Sequence, residues 1–149
     1  MIKKITFLGV GKIFLQKPSD NKHTGILIDI RQEIDNKIDN ILSMLIDAPE
    51  NVIDMIVHQF NGNIFEISRI KYLLITHRHF DHIAGLPSFL ATYYYHIFSK
   101  LGSKLHIIAG KETILFLKRL LSLTGVLDLK SQDEMIRFIP LLYDGITIH

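Results

Sequence analysis

The chain has no cysteine among its 149 residues. Disulfides and thiolate metal sites are therefore excluded, and any metal must be held by imidazole and carboxylate groups. It has little excess charge, +2, and its basic residues are scattered. No dense basic stripe marks a nucleic-acid footprint, so charge neither argues for nor forbids such a substrate. No apolar run approaches the ~20 residues of a membrane span. The opening, Met1-Ile2-Lys3-Lys4 followed by ITFLGVG, imitates a signal peptide. Lys12 cuts its apolar run short and no small-residue cleavage site follows, so it reads as a first strand. Missing thiols and spans fit a cytoplasmic protein without membrane partners, which is the expectation. What the chain does have is apolar material: 48% of its residues, enough for the core of one domain.

Strand and helix signals alternate. Lys4 to Leu8, Gly25 to Ile30, Leu42 to Ile46, Ile70 to Thr76, Lys104 to Ala109 and Ile136 to Ile139 read as strands. Ile13 to Leu15 and Ile146 to Ile148 add two short ones, the latter after the turn Tyr143-Asp144-Gly145. Lys17 to Lys22, with Pro18, reads as a polar loop. The polar stretch 31–41, with its IDNKIDN repeat, reads as a hairpin excursion or lengthened loop. Asp47-Ala48-Pro49-Glu50 is a helix-start signal with Asp47 as N-cap candidate. Val52, Ile53, Ile56, Val57 and Phe60 then follow helical spacing until Asn61-Gly62-Asn63. Helices are also predicted from Pro87 to about Lys100, ended by Gly102, and from Lys111 to Leu123. In the latter, Ile114, Leu117, Leu120 and Leu121 share a face. The pattern implies a mixed, layered α/β domain.

The chemistry concentrates in one place. Leu74-Ile75-Thr76-His77-Arg78-His79-Phe80-Asp81-His82-Ile83-Ala84-Gly85 sets three histidines and an aspartate at the end of a buried strand. A sheet positions such a loop rigidly while exposing it. His77 and His79, two apart, can bend toward one point in an extended turn. Asp81 and His82 are adjacent, so their side chains diverge toward a second point. This spacing suits two metal ions roughly 3.5–4 Å apart, with a bridging water acidified to hydroxide.

Thr76 to Gly85 resembles the T-H-x-H-x-D-H-x-x-G signature of the metallo-β-lactamase fold. Phe7-Leu8-Gly9-Val10-Gly11 is similar to the opening of ribonuclease Z and related phosphodiesterases. Leu45-Ile46-Asp47-Ala48-Pro49, Ile67-Ser68-Arg69-Ile70 and Gly85-Leu86-Pro87 resemble other segments of that branch. The resemblance implies a metal-dependent hydrolase, foremost a ribonuclease Z-like phosphodiesterase with RNA, such as precursor tRNA, among its candidate substrates. His77 and His79 would bind the first zinc, Asp81 and His82 the second. Manganese and iron are the other candidate ions. Asp81 would also orient the metal-bound hydroxide and take its proton. No Gly/Pro-rich tRNA-gripping arm is present. Lactonase, thioesterase or cyclic phosphodiesterase activity on the same fold is one alternative. An inactive half-domain that serves binding or assembly is another.

The resemblance also implies a sandwich of two similar αβ halves with metals at one edge between the sheets. Residues 1–149 match only the N-terminal half of that αββα sandwich. The family's later ligands and its leaving-group acid have no matching motif here. After Gly85 only His96, His106 and His149 remain. His96 falls in a predicted helix and His106 inside a strand. Four ligands for two ions leave each ion with two, where catalytic zinc takes three plus water. The readings are a domain truncated before its C-terminal half, a half-domain that pairs as a homodimer, or a degenerate protein. In each, an apolar sheet face is exposed, which favours association.

Other residues read more plainly. His23 is a turn residue and His58 a helix-surface one. Asp47 suits a helix cap and a ligand-orienting acceptor equally. Tyr93, Tyr94 and Tyr95 point in different directions on a helix and so read as packing. Gly9 and Gly11 lack the later Gly and Lys of a phosphate loop and mark a tight turn.

Overall fold

Runs of β-branched and apolar residues build six strands: β1 (Ile2–Gly9), β2 (Gly25–Ile34), β3 (Lys37–Ile46), β4 (Ile70–Ile75), β5 (Leu105–Gly110) and β6 (Ile136–Leu141). They form one sheet in chain order, β1-β2-β3-β4-β5-β6, in the computed structural model, which describes residues 2–9, 25–34 and 37–141. The first three strands pair antiparallel and the last four parallel. The polar stretch after Ile30 is a hairpin whose strands lengthen β2 and β3, with Glu33 opposite Ile38 and Ile34 opposite Lys37. The sequence expectations at 10–24 and 142–149, including the strands at 13–15 and 146–148, His23 and His149, lie outside the described residues.

Parallel neighbours need crossovers, and helices supply them. α1 (Val52–Gln59) and a 3-10 turn (Ile64–Arg69) link β3 to β4. α2 (Phe80–Ile83), α3 (Leu86–Tyr93), a π-helical stretch (Tyr94–Phe98) and α4 (Ser99–Leu101) link β4 to β5. α5 (Lys111–Thr124) and α6 (Leu129–Met135) lead to β6. No helix among the described residues is long and apolar enough to cross a membrane.

One sequence expectation fails here. The helix predicted at Asp47-Ala48-Pro49-Glu50 starts later, at Val52, and Asn51 rather than Asp47 is its N-cap. Asp47 sits in the left-handed region at φ 61 and spends its carboxylate elsewhere. The helical run from 86 to 101 ends at Gly102, φ 63, as predicted, but carries an unforeseen π turn. Midway along it Tyr93 is buried, and its hydroxyl meets Ser103, which also binds Lys71. Burial holds the Lys71 ammonium below its usual pKa and pushes the Tyr93 phenol up.

The helices cover one face of the sheet. Leu27, Leu45, Leu73 and Ile107 form a register row there, packed under Val52, Ile56, Phe89 and Tyr93. The period of two sends the alternate residues to the opposite face. On that face Phe7, Ile26, Ile46, Leu74, Ile108 and Ile139 make one row across all six strands. Ile5, Ile28, Met44 and Tyr72 begin a second row beside it. Phe7 is 64% exposed and Ile5 53% exposed, so this apolar face is uncovered at its β1 end.

Candidate metal centre

Because β4 is parallel to β3 and β5, its C-terminal end opens onto the crossover side of the sheet, and the motif follows at once. Residues 76–79 are irregular; Phe80 to Ile83 then turn into α2, with His79 as its N-cap in extended geometry. The cluster therefore joins two backbone shapes, an extended piece carrying His77 and His79 and a helical piece carrying Asp81 and His82.

Backbone hydrogen bonds pin this loop to the end of β3. Asp47 N–H donates to Leu74 O (2.8 Å), Ala48 N–H to His82 O (2.8 Å) and Gly85 N–H to Ala48 O (2.9 Å). Gly85 is required by proximity: a Cβ there would lie 2.0 Å from Pro49 O.

Asp47 is the hub. Only 2% exposed, its carboxylate accepts from Thr76 N–H (2.8 Å), from Thr76 Oγ1–H (2.8 Å to Oδ2) and from His82 Nδ1 (2.7 Å). A carboxylate only accepts, so His82 carries its proton on Nδ1. The single hydroxyl proton of Thr76 is likewise committed to Asp47. Thr76 Oγ1 must then accept from His77 Nδ1, 3.0 Å away. Both histidines are thereby set as Nδ1–H tautomers, with the Nε2 lone pairs turned outward.

Those lone pairs meet other donors. His77 Nε2 lies 3.1 Å from His79 Nδ1, and His82 Nε2 lies 3.4 Å from Asp81 Oδ2. The His77 and His82 rings are 3.9 Å apart between centroids, so the two pairs adjoin. Two nitrogens on one tetrahedral zinc sit about 3.4 Å apart, given Zn–N near 2.0–2.1 Å. In the second pair a lone pair faces a carboxylate oxygen, an arrangement that calls for a cation between or beside them. Asp81 Oδ1 is buried without a hydrogen-bond partner, which leaves it available to a cation. The donor chemistry thus fits metal ions. The fit is by pairs: among the described residues no group of three or more such side chains converges on one point.

All four sequence-predicted ligands are brought together. His58 is exposed on α1, His96 lies half-buried in the π stretch, and His106 is stacked on Tyr72 in mid-strand, 5.1 Å between centroids. None of the three joins the cluster. Thr76 was legible only as part of the motif, and its place as a hydrogen-bond bridge between Asp47 and His77 required the geometry.

The family described as "Anti-Pycsar protein Apyc1" matches residues 3–136. No curated protein matches the sequence. Among solved structures, a long-form RNase Z from yeast aligns at 21% identity and TM-score 0.69, over 91% of this chain and 18% of that one. The metallo-β-lactamase fold protein YhfI from Bacillus subtilis aligns at 19% and 0.61, over 95% and 47%. The short form of human tRNase Z aligns at 20% and 0.59, over 91% and 44%. At these identities the likeness is one of fold: the chain has the metallo-β-lactamase fold, and it spans about half or less of the length of these proteins.

Proposed function

The chain belongs to the Anti-Pycsar protein Apyc1 family, and from that premise we propose that it forms the metal-binding half of a phosphodiesterase. The family's name states no substrate. The observation that carries the reading is the geometry: His77 Nε2 faces His79 Nδ1 at 3.1 Å, and His82 Nε2 faces Asp81 Oδ2 at 3.4 Å.

In this reading His77 and His79 hold one ion, and Asp81 and His82 the other. Zinc suits the nitrogen and oxygen set, with manganese or iron as substitutes. When bound, such ions supply a water acidic enough to attack at neutral pH and positive charge for the phosphoryl oxygens. Asp81, whose Oδ1 is buried without a hydrogen-bond partner, would orient such a water and take its proton. Asp47 keeps His82 in its ligating tautomer, and Thr76 does the same for His77. Two donors per ion fall one short of the usual three. Residues 1–149 are accordingly read as one domain, the first half of the sandwich, whose remaining donors come from a second copy or from further polypeptide. RNA, including precursor tRNA, is one phosphodiester to assay within this class, and the cytoplasm is the proposed location.

The test is metal content after purification without chelator, beside hydrolysis of bis(p-nitrophenyl) phosphate and of a thioester. Retained zinc or manganese, lost in His79→Ala, with turnover of the phosphodiester, is the expected result. A folded chain that takes up no metal sinks the proposal, and turnover of the thioester alone moves it to another hydrolase class.

A further inference from the structure

A small apolar cavity lies between α2 and α5, in the helical layer rather than on the bare face of the sheet. Phe80, Ile83 and Ala84 line it from one side, and Phe116, Leu120 and Thr124 of α5 from the other. Its volume is about 210 Å³. An apolar cavity of about 150 Å³ already takes up benzene. No lining residue carries a charge. Phe80 is 72% exposed and Phe116 36% exposed, so two rings reach the cavity with surface left to pack against a third. Thr124 is the one polar side chain in the lining. Its hydroxyl donates to Leu121 O at 3.1 Å, so toward an occupant its oxygen only accepts. The cavity also shares a wall with the metal loop. Phe80, Ile83 and Ala84 are spaced i, i+3 and i+4, which puts them on one face of α2 and its cap. Asp81 and His82 lie between them in sequence and turn the other way, where His82 meets Asp47 and Asp81.

We propose that this cavity is an effector site for a small, uncharged aromatic molecule that carries one N–H or O–H donor, and that its occupant packs α2 from behind. The volume sets the size at one ring or two fused rings. The lining sets the charge, because an ion placed there would lose its hydration without gaining a partner. The rings of Phe80 and Phe116 favour an aromatic occupant over an aliphatic one through edge-to-face contact. Thr124 favours one with a donor. Phe80 links the cavity to the loop: it follows His79 directly and precedes Asp81, so a ligand that fixes its ring also fixes the backbone that aims both. The consequence for a bound metal rests on the reading of that loop given above. The binding and its effect on the loop rest on the cavity and on α2 alone.

Indole is the probe, and the chain has no tryptophan, so indole emission is read without interference. Its fluorescence anisotropy is expected to rise on titration with the 149-residue chain, as purified and again in chelator, with a dissociation constant of about 0.1–1 mM. Ala84→Leu fills the cavity and is expected to abolish the rise. Thr124→Val, at an exposed position that leaves folding intact, is expected to weaken indole about 2–10-fold, the worth of one neutral hydrogen bond. The same variant is expected to bind toluene, measured by displacement of indole, as wild type does. In the nuclear magnetic resonance spectrum the imidazole signals of His79 and His82 are expected to move on indole addition, while that of His58 on α1 stays. No anisotropy change up to millimolar indole, or equal binding by Thr124→Val, overturns the proposal. So does binding that leaves the His79 and His82 signals in place. Indole affinity that falls as protein concentration rises also overturns it, since another chain then fills the cavity. Every arm is run in chelator as well, so its failure is distinguishable from a failure of the metal-binding reading.

Discussion

At the scale of the residue, Asp47 has the largest consequences outside the four candidate ligands. Removing its carboxylate leaves the Thr76 N–H and the His82 Nδ1–H without their acceptor. Asp47→Ala is expected to weaken metal retention about 10–100-fold, the usual effect of losing such an orienting partner. Metal titration of the folded variant measures it. Gly85→Ala acts through sterics: the new methyl would need the space held by Pro49 O. It is expected to cost about 1–3 kcal/mol, read as a lower urea midpoint with an unchanged slope. The ligand cluster was legible in sequence because its four residues are contiguous. The role of Asp47 as acceptor for a ligand histidine was legible only as one of two equal readings, because its partners lie 29 and 35 positions away and its own neighbours spell a helix start. Two local rules pointed to a cap there, and a tertiary carboxylate-to-histidine contact overrode them.

Among the elements, those built on burial were the ones that could be read. β4 is a continuous apolar run, and α5 buries Ile114, Leu117 and Leu121 at the predicted spacing. α6 escaped notice because Leu129–Met135 offers few apolar residues in helical register. It is specified instead by its cap, Asp128, which accepts from Ser131 N–H and Ser131 Oγ–H, both at 2.8 Å. The Ser131 amide, followed by its hydroxyl, holds the Asp128 carboxyl below the usual carboxylate range. A lowered native pKa means that the cap stabilises the fold above the ordinary carboxylate pKa. That contribution fades as pH falls through the ordinary value and then through the native one. The gap in urea midpoint between wild type and Asp128→Ala is therefore expected to be widest near neutrality and to close in acid. The hairpin of β2 and β3 shows the opposite bias. The polar stretches 31–34 and 37–40 have weak strand propensity, and pairing carries both strands through them.

For the whole molecule, the helical layer and the sheet share one core. Phe89→Ala, at a fully buried site under the sheet, is expected to cost about 3–5 kcal/mol. Leu123→Ala, at a position 85% exposed, should stay within about 0.5 kcal/mol. Urea unfolding of the two side by side checks the layering.

The order of the sheet, identical to the order of the chain, bears on how the protein is made. Each strand finds its neighbour already present, since none is inserted between two earlier ones. A chain leaving the ribosome can extend the layer one strand at a time, with each helical crossover closing a loop of modest length before the next begins. The histidine loop is then anchored as soon as β4 docks on β3, when Asp47 and Thr76 first meet. All of its anchors lie between residues 47 and 85 and so precede β6 in the chain.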